Sequence, residues 1–174
     1  MKKLLIFAGA VAALALTSAP AAAAPVSATA NAKAKIFKPL SLNQVSGADL
    51  DFATIVLGAG SYTSNVVVDQ TGALTSCGAN LTCSGTTAAA KFKATGTSNA
   101  TLSITLPSST VSLTDGVTGD PSLTVTLDAP TTANLGSAGP TTGVTFGVGG
   151  SLSVPSTTPD NFYSGTFTVN ADYQ

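Results

Sequence analysis

Eleven consecutive residues, 26–36, alternate between apolar and polar without an error. Val26, Ala28, Ala30, Ala32, Ala34 and Ile36 hold the even positions, and Ser27, Thr29, Asn31, Lys33 and Lys35 the odd ones. The same period returns at the other end of the chain, where Phe167, Val169, Ala171 and Tyr173 are apolar and Thr168, Asn170, Asp172 and Gln174 polar. In an extended backbone alternate side chains point to opposite faces, so each segment reads as a half-buried β-strand. A strand running to the final residue finds its neighbours earlier in the chain or in another chain. Two such segments at opposite ends therefore constrain any fold this sequence adopts.

The stretch between them reads as a series of short strands with turn residues every 8 to 12 positions, the pattern of a sandwich or barrel. Residues 49–57 form the first strongly apolar stretch, with Leu50, Phe52, Ile55 and Leu57 directed inward, after a polar loop at 43–48. Val66, Val67 and Val68 mark a β-branched strand closed by an Asp69-Gln70-Thr71-Gly72 turn. Residues 88–95 and 101–106 alternate around Gly96-Thr97-Ser98-Asn99 and read as a hairpin, with Phe92, Leu102, Ile104 and Leu106 in the core. Short strands follow at 111–113 and 123–127. A Gly-, Ala- and Thr-rich loop covers 131–142, and a strand region at 144–154 has Gly147, Gly149 and Gly150 marking bulges or close backbone approach. Residues 155–161 are the last loop. Abundant Thr, Ser, Gly and Val, with few helix formers other than Ala, agree with an all-β antiparallel sandwich of about eight to ten short strands.

The first residues have the layout of a secretion signal: Lys2 and Lys3, an apolar run at 4–16, then small residues at 18–24. The apolar run is too short for a mature membrane anchor. Cleavage after Ala23 keeps Pro25 away from the cut and divides the chain into a signal (1–23), an N-terminal extension and linker (24–48) and a β-sandwich domain (49–174). Of seven lysines, Lys2 and Lys3 leave with the signal, so five face eight aspartates and the mature chain carries a net charge of −3. The chain has no Arg, Glu, His or Trp. Without a basic stripe or Arg, nucleic-acid binding is set aside.

Cys77 and Cys83 lie six residues apart in an exported chain, which points to a disulfide closing a small loop. Closing a loop of that length stabilises by about 2 kcal/mol in the chain-entropy account. Two thiols without a His or a third Cys do not make a closed metal site, and no cofactor is expected.

The inventory for catalysis is equally thin, so the chain reads as non-enzymatic. Asp69, Asp115, Asp120, Asp128 and Asp160 sit beside turn residues, where their plain role is to bond the turn backbone. Asp49 and Asp51 alternate with Leu50 and Phe52, which sets them on the outer face of a strand rather than in a paired-carboxylate site. Asn80-Leu81-Thr82 and Asn99-Ala100-Thr101 fit the N-glycosylation pattern, a tripeptide common in Thr-rich chains. Lys33, Lys35 and Lys38 guard a strand edge or attract an acidic surface, and the two roles are compatible. An outer-membrane barrel would need strands of about ten residues and two aromatic girdles. Most of the strands here read as shorter, and the mature chain's Phe and Tyr residues are few.

Five segments in order carry a family resemblance: Leu50-Asp51-Phe52-Ala53-Thr54-Ile55-Val56, Val66-Val67-Val68-Asp69, Asn99-Ala100-Thr101-Leu102-Ser103-Ile104-Thr105-Leu106-Pro107, Phe146-Gly147-Val148-Gly149-Gly150-Ser151-Leu152-Ser153-Val154 and Tyr163-Ser164-Gly165-Thr166-Phe167-Thr168-Val169. Over residues 35–174 the chain resembles secreted Gram-negative proteins with a domain of unknown function, similar to the Mat/Ecp-type common-pilus major subunit. Its ending is similar to chaperone–usher pilins, with Tyr173 as the penultimate aromatic and Gly165 nearer the end than their glycine. The resemblance implies an immunoglobulin-like sandwich lacking one strand, filled first by a periplasmic chaperone and then by the N-terminal extension of the next subunit at an outer-membrane usher. Val26, Ala28, Ala30, Ala32, Ala34 and Ile36 would be the donor strand, and Phe167, Val169, Ala171 and Tyr173 a wall of the acceptor groove. The expected function is a fimbrial subunit that polymerises head to tail on the cell surface and mediates adhesion. A monomeric secreted sandwich that binds a ligand, such as a glycan, is the alternative.

Overall fold

The computed structural model describes residues 24–174, so the signal read at 1–23 lies outside the described residues. The chain divides into two compact units, Met1–Lys35 and Ile36–Gln174. Within the first, residues 24–35 form neither strand nor helix, and their side chains are exposed.

Ile36–Gln174 is all-β, with twelve antiparallel strands among the described residues. They are β1 (Ser41–Gln44), β2 (Thr54–Leu57), β3 (Thr63–Val68), β4 (Leu74–Cys77), β5 (Leu81–Ser84), β6 (Ala90–Thr95), β7 (Thr101–Thr105), β8 (Thr110–Leu113), β9 (Leu123–Asp128), β10 (Thr132–Asn134), β11 (Val144–Pro155) and β12 (Asn170–Tyr173). The number exceeds the expected eight to ten because short strands form inside segments that read as loops. β1 begins beside Leu42, which packs on the core, and overlaps the 43–48 loop; β10 lies within 131–142. β4 and β5 flank the cysteine loop.

The long β11 is the spine. Its first half pairs with β6 (Phe146 opposite Phe92, Val148 opposite Ala90), and its second half pairs with both β3 and β9 (Leu152 opposite Val66 and Val125). β1 extends the sheet beyond β6, β4 beyond β3, and β8 beyond β9, making seven strands. Residues opposite one another across a ladder share a face. Val66, Val68, Ala90, Val125, Leu127, Phe146, Val148, Leu152 and Val154 therefore build one apolar face, and all are buried. Two smaller sheets, β10-β7-β12 and β2-β5, pack on the same core through Leu102 and Ile104 of β7 and Ile55, Leu57 and Leu81 of the β2-β5 pair. The result is a two-layer sandwich-like fold in which one layer is a continuous sheet and the other is in two pieces. Fully burying a Val or Leu of this kind contributes about 1.5–3 kcal/mol.

Glycines permit the close approach that β11 needs. A Cβ on Gly147 would strike the Gln70 carbonyl oxygen, and one on Gly150 would lie 2.9 Å from the Thr126 carbonyl oxygen. Close approach, one of the two roles read from these glycines, is what they serve.

Two expectations change. Residues 88–95 and 101–106 do not form a hairpin: β6 belongs to the seven-stranded sheet and β7 to the β10-β7-β12 sheet. Each strand is satisfied by other neighbours, and the connection between them carries the chain from one layer to the other through Asn99 at φ 57. The apolar stretch 49–57 is also not one strand. Ala53 sits at φ 59 and its N–H donates to Asp51 Oδ1 at 2.7 Å. That left-handed residue shifts the phase, so the inward side chains are even before it (Leu50, Phe52) and odd after it (Ile55, Leu57).

Cys77 and Cys83 are joined in a disulfide, as their spacing predicted. The bridge ties β4 at the rim of the large sheet to β5 in the two-stranded sheet.

Candidate functional site

On the inner face of the seven-stranded sheet, between residues 49–57 and residues 158–167, lies a groove of about 910 Å³. Its floor and its walls are lined in different ways. On the floor every second residue contributes: Val111 and Leu113 of β8, Leu123 and Val125 of β9, Leu152 and Val154 of β11, Ala90 and Phe92 of β6. This is the inner face of the seven-stranded sheet seen face-on.

The walls are lined by consecutive residues, 49–53 and 55–57 on one side and 158–167 on the other. β2 pairs only with β5, so its second edge is open. Residues 165–169 belong to no ladder. Backbone N–H and C=O groups are obligatory hydrogen-bonding groups; the second edge of β2 and residues 165–169 have no ladder partner among the described residues, whereas Asp51 and Ser164 of the walls are bridged to Ala88 and Thr114.

The wall at 158–167 is held by side chains. Tyr163 Oη donates to the Pro159 carbonyl at 3.1 Å, and Asn161 Nδ2 donates to Asp115 Oδ2 at 3.1 Å. Thr114 and Ser164 exchange both backbone bonds at 2.9 and 2.8 Å, tying the wall to the end of β8. Gly165 then passes so near β8 that a Cβ would sit 2.5 Å from the Ser112 carbonyl oxygen. Loss of hydration, together with the charges of Asp115, Asp120 and Asp160, raises the Tyr163 phenol above its ordinary value. Asp115 is lowered, first by the Val117 N–H; Asp120, which shares a hydrogen bond with it, is raised by loss of hydration and then by Asp115.

The rim is apolar as well. Val56 on one wall and Phe162 on the other are 55% and 81% exposed, whereas floor residues such as Val125 are nearly inaccessible. At one end Phe92 meets Phe146 at 5.9 Å and Phe167 at 6.1 Å between ring centroids.

Of the residues read as an acceptor wall, the structure brings Phe167 to the groove. Val169 is buried beyond it, and Ala171 and Tyr173 lie on β12, opposite Ile104 and Leu102 of β7. Tyr173 has a different setting. Its ring stacks on Phe37 at 4.3 Å and 6°, its hydroxyl accepts from the Thr97 N–H at 2.8 Å, and it donates to the Lys38 carbonyl at 2.8 Å. The Lys38 N–H in turn donates to Thr97 Oγ1 at 2.6 Å. The candidate donor residues Val26, Ala28, Ala30, Ala32, Ala34 and Ile36 are exposed and lie in no strand.

Asp49 and Asp51 stand at the rim with Oδ1 atoms accepting from Gln44 Nε2 and the Ala53 N–H, both at 2.7 Å. Among the described residues no group of three or more carboxylates, thiols or imidazoles is arranged to hold a metal ion. Sequence reasoning missed the wall at 158–164, because its Pro, Asp and Asn residues read only as a loop. The one available signal was Phe162-Tyr163, two adjacent aromatics beside a polar turn.

No curated protein and no solved structure matches the chain. A family model described as a domain of unknown function (DUF4402) matches residues 40–173, from just before β1 to the end of β12, and the chain belongs to that family.

Proposed function

We propose that this protein is a non-enzymatic structural subunit of a surface fimbria, exported through the periplasm, and that its copies join by strand donation. The observation that carries the reading is the form of the groove: an alternating apolar floor beside the open edge of β2 and the unladdered residues 165–169. A single extended strand satisfies both features at once, setting alternate side chains on the floor and hydrogen-bonding a wall. Residues 26–36 of a second copy have the required pattern, with six even apolar side chains that are exposed in the isolated subunit. Four of the six are Ala, whose small side chains imply a shallow groove that sets the register.

The contact uses different surfaces on donor and acceptor, so it does not close, and repetition makes a filament that mediates adhesion. Before assembly the groove exposes its apolar rim, with Val56 and Phe162, and the free edge of β2, and a periplasmic chaperone would cover them until an outer-membrane usher passes the subunit on.

The test is an unheated denaturing gel of protein sheared from the cell surface, beside protein lacking residues 26–35. A heat-sensitive ladder that disappears with the deletion supports strand donation. A lone monomer band from the full-length chain would refute it.

A further inference from the structure

Charge is divided along this chain. Residues 24–48 carry Lys33, Lys35 and Lys38 and no acidic side chain, whereas residues 49–174 carry all eight aspartates and only Lys91 and Lys93. The groove shares the second character: Asp49 and Asp51 stand on one wall, Asp160 on the other, and no lysine lines it. All three carboxylate residues are exposed.

Resting on the strand-donation reading, we infer that Lys33 and Lys35 of an incoming copy are received by Asp49, Asp51 and Asp160, which steers the donor segment into the groove and sets its register. The alternation makes the match geometric. With Ala32, Ala34 and Ile36 facing the floor, Lys33 and Lys35 project outward on the same side of the strand. On the adjoining wall Leu50 and Phe52 face in, and Asp49 and Asp51 face out. Both pairs are two residues apart, so two lysines on an added strand meet two carboxylates at matching spacing. The Gln44 and Ala53 hydrogen bonds hold those carboxylates at the rim before any partner arrives.

A slip of one residue would turn the lysines toward the apolar floor and the alanines to water. A slip of two would keep the faces but separate the charges. The apolar pattern thus selects the face and the charges select the position along it. Because the carboxylates are exposed, the effect falls mainly on the association rate and is screened by salt.

The test uses the full chain in two variants: Lys33→Asp/Lys35→Asp, and Asp49→Lys/Asp51→Lys/Asp160→Lys. Assembly is followed by light scattering and unheated gels at low and high salt, with circular dichroism to check folding. Each variant alone should assemble roughly tenfold or more slowly than the parent at low salt. An equimolar mixture should recover, because each extension then meets a groove of opposite sign, and the differences should shrink at high salt. If the groove variant does not fold, Asp49→Asn/Asp51→Asn replaces it and should slow assembly in the same direction.

Parent-like rates for the separate variants would overturn the inference, as would a mixture that stays slow. Strand donation would still stand in either case if the parent ladder requires residues 26–35. A parent chain that forms no ladder overturns both.

Discussion

Replacing Tyr173 by Phe removes one oxygen atom and isolates what that hydroxyl does. The ring and its stack on Phe37 remain, but two 2.8 Å bonds vanish, one accepted from the Thr97 N–H and one donated to the Lys38 carbonyl. A typical intramolecular hydrogen bond contributes a net 0.5–1.5 kcal/mol. Tyr173 is half-buried, so water partly replaces the lost partners, and the lower half of that range gives about 1–2 kcal/mol for the pair. In a chain of this size each kcal/mol moves Tm by about 2–4 °C, so Tyr173→Phe should melt about 2–8 °C below the parent. Tyr173→Ala also removes the stack and the buried ring, and should cost about 3 kcal/mol in all. Urea denaturation at constant m-value measures the difference. Amide exchange at Thr97 reports the bond itself. Equal midpoints for parent and Tyr173→Phe, with Thr97 protection unchanged, would refute the argument that the hydroxyl ties residues 37–38 to the sandwich.

Two further outcomes follow from the structure. Cys77→Ser/Cys83→Ser should lower stability by about 2 kcal/mol, the chain-entropy value for so short a loop, in urea titrations without reductant; adding reductant should bring the parent down to the variant. The Asp69 carboxyl is held below its ordinary value of 3.8, first by the Thr71 hydroxyl and then by the Ala73 N–H. Its stabilising contribution is therefore complete above pH 3.8 and is lost as the pH falls through the lower folded-state value. An acid titration of stability should be shallower below pH 4 for Asp69→Asn than for the parent, and identical slopes would contradict this.

Much of the fold was legible because burial follows period-2 patterning. In β9, Leu123, Val125 and Leu127 are buried while Thr124, Thr126 and Asp128 are exposed. From Phe167 to Gln174 burial alternates without a break, although only β12 is hydrogen-bonded into a sheet. Periodicity reports which face is wet, and it does so even where no ladder forms. It does not report which strand lies beside which. The pairing of β6 with β1 and β11, rather than with β7, depends on contacts distant in sequence, and a short polar connection looks the same whether it turns back or crosses between layers. The inward set Leu50, Phe52, Ile55 and Leu57 was legible, but the left-handed Ala53 that produces its change of phase was not, since such a φ at a residue other than Gly leaves no trace in composition. At the candidate site, the floor residues were visible as strand residues, whereas the wall at 158–167 takes its form from Tyr163, Asn161 and Ser164 bonding to groups earlier in the chain.

The Cys77–Cys83 bridge has a consequence for when the groove can exist. It fastens β5, and through β5 the open-edged β2, to the rim of the seven-stranded sheet. Disulfides persist where thiols are oxidised and are rare where they are kept reduced. One wall of the groove is therefore firm only where the Cys77–Cys83 bridge can form. A reduced chain would present a floor with one loose side, a poor receptor for any strand. Under the strand-donation proposal, oxidation would act as a checkpoint on maturation, letting a subunit accept a partner strand only once this bridge has closed.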